Sequence, residues 1–350
     1  MQSDRFRGLV DATGPFVSVY FDDSHDTADA AAQLDARLRD VRKHLEEQSV
    51  HASVIEAIES AVRAKHPPVG RSGRGVIAAG SEIVLDEHLI RPPTATILRV
   101  SELPYLVPVI EHGVLHTSYL MVAVDNTGAD ISLASGSQTV KSDDHAGPQG
   151  KDEAVRKNIR EVADRITHLV DEHGPDIVFI TGETTARAEL VAELPERVNA
   201  KAVQLQGGGR TAGTDDAEVH HEMGQEFLKR RLAAIEDVAG RFNAGRGTGL
   251  AVEGLANVTA ALRDGAVDTL IIGDLGQATI VADHDQLLLS GPDAATVSAL
   301  GGSPDRVLRA DEALPLIAVA THASLIRTDE RLDPADGVGA VLRYADPIAG

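Results

Sequence analysis

Three hundred and fifty residues without a single cysteine or tryptophan narrow both the folds and the chemistries open to this chain. Disulfide frameworks, thiolate nucleophiles, Cys-ligated zinc and Cys-bound iron–sulfur clusters are excluded together. Aromatic residues make up only 3% of the chain and apolar residues 43%, so its cores have to be aliphatic, and stacking of bases on aromatic platforms is disfavoured. At roughly 100 to 200 residues per domain the length calls for two or three domains, each able to bury its own core.

The absence of cysteine fits a reducing compartment. The opening MQSDRFRGLVDATGPF has no apolar run of signal-peptide length, and no later stretch approaches the roughly 18 apolar residues of a membrane span. The expectation is a soluble, cytoplasmic protein without membrane association. Thirty-three Lys and Arg stand against 54 Asp and Glu, a net charge of −21. A field of that sign repels phosphate backbones unless cations are gathered locally.

Along the chain, Phe16 to Phe21 suits a strand, and Thr27–Gln48 and Ala52–Ala64 suit helices. Next comes RAKHPPVGRSGR, where Pro67, Pro68, Gly70, Gly73 and Gly75 break regular structure and Arg63, Lys65, Arg71 and Arg74 occur without one acid. It reads as an exposed basic loop. Short strands at Gly75–Ala79, Thr94–Val100 and Val107–Ile110 complete a first domain, residues 1–113. From Ser118, YLMVAVDNTGADISLAS reads as a hairpin turning at Asn126-Thr127-Gly128, followed by a polar loop. A helix at Lys151–Glu172, strand DIVFIT, helix Thr184–Glu193, strand Lys201–Leu205 and helix Asp215–Phe242 make an alternating α/β unit, residues 114–244. The Gly-rich stretch Arg241–Gly249 reads as a linker. A third α/β unit, residues 245–350, begins with a helix at Val252–Arg263 and the strand VDTLII. From 250 onward it carries six Lys and Arg against fifteen Asp and Glu.

Two stretches of that third unit, GLANVTAALRDGAVDTLIIGD and Gly337-Val338-Gly339-Ala340-Val341-Leu342-Arg343-Tyr344, resemble signatures of archaeo-eukaryotic class-1 peptide-chain release factors and Pelota. The hairpin with its turn at Asp125 to Gly128, the long helix after it, and ITGE at 180–183 agree in order with that family's middle domain. The opening GPFVSVYFD is similar to the bacterial branch of the superfamily, family 2, which includes the ribosome-hibernation factor Balon. The resemblance implies an α/β chain in three domains: an α+β first domain on the decoding side, a ribonuclease-H-like middle domain, and a C-terminal domain like kink-turn-binding proteins.

Release factors of this kind insert a Gly-Gly-Gln loop, placed between the hairpin and the long helix, into the peptidyl-transferase centre. Here that stretch is SDDHAGPQGK, Ser142 to Lys151, and its nearest triplet is Gly147-Pro148-Gln149. Ester hydrolysis there needs unhindered glycines and a main-chain N–H aimed at the developing oxyanion. Pro148 removes one N–H, fixes its own φ near −65° and pushes Gly147 away from the α region. The resemblance therefore implies a loop, with His145, Gly147, Pro148, Gln149 and Lys151, that approaches the centre without hydrolysing peptidyl-tRNA. The residues alone read more readily as a disordered connector between a strand and a helix. Arg63, Lys65, Arg71 and Arg74 are the candidate rRNA contacts, with a solvated surface loop as the alternative.

Other motifs carry less. Gly207-Gly208-Gly209-Arg210 lacks the Lys-Ser/Thr of a phosphate loop and the Rossmann spacing. His220-His221-Glu222 has Gln225 where a second imidazole would be needed, and His112 and His116 flank a glycine between expected strands. No cofactor, metal or catalytic residue is expected. The leading expectation is a non-enzymatic factor of hibernation or stress response that binds the ribosomal A site as a tRNA mimic. On the family's pattern, elongation factor Tu or another translational GTPase is its implied partner. A divergent peptidyl-tRNA hydrolase or rescue factor using the Gln149 N–H, and a stress-linked adaptor acting off the ribosome, are the alternatives.

Overall fold

The computed structural model describes residues 4–25, 27–65, 71–113, 118–135, 138–146, 152–209, 217–328 and 331–345. The first unit comprises α1 (Arg7–Asp11), β1 (Phe16–Asp22), α2 (Ala30–Glu47), α3 (Ala52–Ala64), β2 (Gly73–Ala79), β3 (Glu82–Leu89), β4 (Ile97–Ser101) and α4 (Val107–His112). Its strands form an antiparallel sheet in the order β3-β2-β1-β4. Alternate residues of β1 serve two cores. Val17, Val19 and Phe21 pack with Leu38, Val41, Ile55 and Ile58 of α2 and α3, while Phe16 and Tyr20 face the opposite side.

One expectation fails here, and one strand went unread. Val107–Ile110 is helical, because Pro108 sits in the first turn, where a missing N–H costs nothing. Strand β3 was hidden by the acids of EIVLDEHL, a composition suited to the sheet edge it occupies.

The middle unit comprises β5 (Ser118–Asp125), β6 (Gly128–Ser135), β7 (Gln138–Ala146), α5 (Asp152–His173), β8 (Ile177–Gly182), α6 (Thr184–Glu193), α7 (Glu196–Asn199), β9 (Ala202–Gln204) and α8 (Ala217–Arg246). The sheet order is β7-β6-β5-β8-β9. The first three strands are antiparallel, whereas β8 and β9 continue from β5 in parallel. Helices α5 and α6 cover one face, burying Ile159, Val162, Ile166 and Leu190 against Val122 and Ile180. The N-terminal half of α8 covers the other, where Phe179, Phe227 and Tyr119 meet with ring centroids 5.6 Å apart.

The stretch expected as a linker is helical as far as Arg246. Its glycines misled the sequence reading: Gly240 is open to solvent, and Gly245 lets the helix approach Ala251, since a Cβ there would lie 2.9 Å from the alanine's own Cβ. Further along α8, Ile235, Val238 and Phe242 pack on Ile271, Ile326 and Val341 of the third unit.

That unit comprises β10 (Ala251–Glu253), α9 (Leu255–Arg263), β11 (Val267–Ile272), β12 (Thr279–Asp283), β13 (Ser290–Gly291), α10 (Ala294–Ala299), β14 (Pro304–Arg309), α11 (Ala310–Ala320), β15 (Ser324–Arg327) and β16 (Val338–Leu342). Two sheets result, β10-β16-β11-β15 and β13-β12-β14. The helix expected from Val252 begins at Leu255 instead, after β10 and the left-handed Gly254 (φ 84°). Gly339 explains one glycine of the closing signature: a Cβ there would lie 2.7 Å from the Phe242 ring, so only glycine admits α8 onto β16. Helix α11 is buried from Ala310 to Val319. Its apolar residues share one core with Phe6, Leu9, Phe16, Tyr20, Leu106 and Ile110 of the first unit. The chain is thus α/β, with an α+β first unit.

Candidate functional site

Strand β7 continues through Ser142–Ala146, residues expected in a loop, pairing Asp143 with Ile131, His145 with Ala129 and Ala146 with Gly128. The charged residues of this stretch are those of an edge strand, and polar composition concealed the pairing. His145 is therefore a strand residue, while Gly147, Pro148, Gln149 and Lys151 lie outside the described residues. Strand β7 ends at Ala146, paired with Gly128 beside the β5–β6 turn, and α5 begins at Asp152.

The turn itself is tightly specified. The Asp125 carboxylate accepts from the main-chain N–H groups of Thr127 (2.7 Å) and Gly128 (3.0 Å) and from the Thr127 hydroxyl (2.6 Å), an Asx-type closure. Asn126 donates to Glu183 (2.7 Å), and buried Asn158 of α5 donates to the Asn126 carbonyl (3.4 Å). Glu183 N–H in turn reaches the Val124 carbonyl (3.1 Å). Gly182 makes this approach possible: its φ is 118°, and a Cβ would lie 1.9 Å from the Val124 oxygen. Hairpin turn, α5 and the β8–α6 junction are thereby locked together.

Of the basic segment expected as an exposed loop, residues 66–70 lie outside the described residues, and the described part is largely engaged with the body of the first unit. Arg74 lies within β2 and is fully buried. Its guanidinium makes a two-pronged ion pair with Asp86 (2.6 and 3.0 Å), meets the His88 ring nitrogen at 3.1 Å and donates to the Ala61 carbonyl (3.3 Å). A side chain so enclosed cannot reach rRNA, and Arg74 is withdrawn as a contact. The flanking glycines mark close packing rather than a turn, since a Cβ at Gly75 would lie 2.7 Å from the Tyr20 ring.

Lys65 is likewise engaged, bonding the Asp86 carbonyl (2.9 Å) and pairing with its carboxylate (2.8 Å). Arg63 is exposed and pairs with Asp35 (2.7 Å). Arg71 is exposed at the end of the segment.

Asp23 escaped the sequence reading because no motif marks it. It is 1% exposed, and neither carboxylate oxygen has a hydrogen-bond partner among the described residues. Arg74 is 3.8 Å away and the His25 ring 3.9 Å away. Burial, opposed by Arg74, pushes the Asp23 carboxyl up to about 6. Burial, aided by Arg74, pushes His88 down to about 4.

With this geometry in view, the match to a family model falls into place. Residues 118–248, from the first residue of β5 to the turn after α8, match the model for bacterial archaeo-eukaryotic release factor family 2. Uncharacterized proteins of two Mycobacterium tuberculosis strains, CDC 1551 and H37Rv, are each 47% identical to the chain over 99% of its length and 97% of theirs. The middle unit of the chain, residues 118–248, belongs to this release factor family. Among solved structures, Archaeoglobus fulgidus Pelota is 12% identical, covering 98% of this chain and 92% of that one with a TM-score of 0.39. An archaeal translation termination factor is 14% identical, covering 98% and 99% with a TM-score of 0.27.

In this family member the remaining motifs are structural. Gly208 (φ 78°) packs where a Cβ would lie 2.6 Å from the Thr181 hydroxyl, and the Gly207 carbonyl accepts from that hydroxyl. His221 accepts from Gln225 (2.7 Å) and Glu222 accepts the Gln206 N–H (2.7 Å). His112 lies on α4 beside Glu111, and His116 lies outside the described residues. No group of three His, Cys, Asp or Glu among the described residues is disposed to hold a metal ion.

Proposed function

We propose that this release-factor family member binds the ribosomal A site as a tRNA mimic and holds the ribosome without releasing its nascent chain, as a hibernation or stress factor. The observation that carries the reading is Gly147-Pro148-Gln149, standing between β7 and α5, where the family's release loop falls. Proline at the centre removes an N–H and fixes the backbone at the point where hydrolysis needs a free glycine. The rigid base formed by Asp125, Asn126, Asn158 and Glu183 suits a loop that is placed rather than one that searches. Arg71 and Arg63 are the cations left for phosphate contact, and the acidic third unit suits a protein partner such as a translational GTPase, elongation factor Tu included.

The test is co-sedimentation of the full chain with vacant 70S ribosomes across a salt series, with peptidyl-tRNA hydrolysis measured on programmed ribosomes. Binding that weakens with salt, without hydrolysis, is the expected result. Binding with hydrolysis near release-factor rates would make the chain a peptidyl-tRNA hydrolase. No binding at low salt would move its function off the ribosome. Arg71→Glu should weaken binding and flatten the salt dependence, since each lost phosphate contact removes roughly one unit of the log–log slope.

A further inference from the structure

Two short segments of the first unit, residues 22–25 and 71–74, meet beside the Asp23 carboxyl at the end of the β1–β2 ladder. Asp23 N–H donates to the Ser72 carbonyl (3.0 Å), and the Ser72 hydroxyl donates back to the Asp23 carbonyl (2.9 Å). The Ser24 hydroxyl donates to the same Ser72 carbonyl (3.3 Å) while accepting the Ser72 N–H (3.2 Å). Asp23, Ser24 and Ser72 are all buried. The hydroxyls of Ser24 and Ser72 and the main chain of Asp23 and Ser72 thus bond across the crossing, whereas the Asp23 carboxylate has no hydrogen-bond partner among the described residues.

Charged groups face that carboxylate from each neighbouring element. Arg74 comes from β2, and Asp86 and His88, both held on Arg74, come from β3. Lys65, after α3, lies on the far side of Asp86. Arg37 of α2 pairs with Asp22 at 3.4 Å, and His25 closes the near side. Arg74 spends its fork on Asp86 and reaches Asp23 only at 3.8 Å. An ionised carboxylate at this place is buried without a hydrogen bond, whereas a protonated one is a neutral group in a tight polar crossing.

We propose that Asp23 is a proton-controlled latch on the crossing of residues 22–25 with 71–74: protonation closes it and ionisation loosens it. The crossing includes Arg71, so the latch governs how firmly Arg71 is held to the body of the first unit. Opening hydrates Asp23 and returns it to ordinary carboxyl behaviour, so the equilibrium between closed and open must follow pH by linkage. With the carboxyl moving between 3.8 open and about 6 closed, opening should become roughly tenfold more frequent between pH 5 and pH 7.

Hydrogen exchange of the main-chain amides of Asp23, Ser24 and Ser72 in the full chain, corrected for intrinsic rates, reads this directly and needs no ribosome. The expected result is protection falling about tenfold from pH 5 to pH 7 in the natural protein. Asp23→Asn, which keeps the shape and removes the charge, should hold high protection at both pH values. The side-chain carboxyl carbon of Asp23, followed by NMR in the unmodified chain, should titrate near 6. Exchange that is flat across this range would overturn the proposal, as would a pH dependence that survives in Asp23→Asn. Should that variant not fold, an Asp23 carbon titrating near 4 in the natural chain would overturn it equally.

Discussion

Arg74 is the residue on which the first unit's polar interior turns. It is fully buried and holds Asp86 with two hydrogen bonds, His88 with one and the end of α3 through Ala61. Removing one partner of a buried pair leaves an uncompensated charge, at a cost of about 3 to 5 kcal/mol. Arg74→Met should therefore lower the unfolding free energy by that order in denaturant titrations, while Arg71→Met, at an exposed position, should change it by less than about 0.5 kcal/mol. His88 supplies a pH dependence of definite sign. Its folded value, about 4, lies below the ordinary 6.5, so its contribution to stability is complete above 6.5 and is lost as pH falls toward 4. Compared with the natural chain, His88→Gln should gain relative stability as the pH is lowered through that window. Equal pH profiles for the two would contradict this. None of this was legible in the sequence: RSGRG reads as a turn because glycine permits turns, and here the same glycines permit close packing against Tyr20 and Pro92.

At the scale of elements, α8 decides the arrangement. Its thirty residues put Val219, Met223 and Phe227 on the middle sheet and Ile235, Val238 and Phe242 on the third unit. Between these two faces lies buried Arg231, whose guanidinium donates to the Ile110 carbonyl of α4 (2.7 Å). One continuous helix thus joins three units at a rise of about 1.5 Å per residue. Ala233→Pro, at an exposed site between the two faces, removes a helical hydrogen bond and costs about 3 kcal/mol or more. Calorimetry should then show the natural chain's unfolding divided into separate transitions, and a single unshifted transition would mean that α8 is not the coupling element. Periodicity made most helices readable, and Ala52–Ala64 and Thr184–Glu193 fall where the spacing puts them. It failed at Val107–His112, where a short apolar run with proline fits strand and helix alike, and at edge strands β3 and β7, whose charged composition hides the strand pattern. The continuation of α8 past Gly240 and Gly245 was obscured by the same ambiguity of glycine, resolved only by what packs against it.

For the whole molecule, the consequence is an alliance between the first and third units that no local pattern announces. Beyond its first turn, which carries Asp311 and Glu312, helix α11 is apolar on all sides because it has a sheet beneath it and another unit above it. Around this shared core, Arg99 pairs with Asp311 (2.9 Å) and Glu312 (3.1 Å) while its guanidinium lies 3.5 Å from the centre of the Tyr105 ring. Arg306 pairs with Glu102, and Arg327 lies 3.7 Å from Glu111. The acids of the third unit therefore do more than repel phosphate, because two of them bind the first unit. Arg99→Glu would set a third carboxylate against Asp311 and Glu312 and lose the cation over Tyr105, at a cost of several kcal/mol. Small-angle scattering should show an increased radius of gyration, and hydrogen exchange should show lost protection in α1, α4 and α11. The middle sheet, whose core is built from β5, β6, β8, α5 and α6, should keep its protection. If all units lost protection together, the three would unfold as one cooperative body and the pairing of first with third would have no independent standing. If only the first and third loosened, the middle unit would be an arm carried on a two-unit base, joined to it through α8.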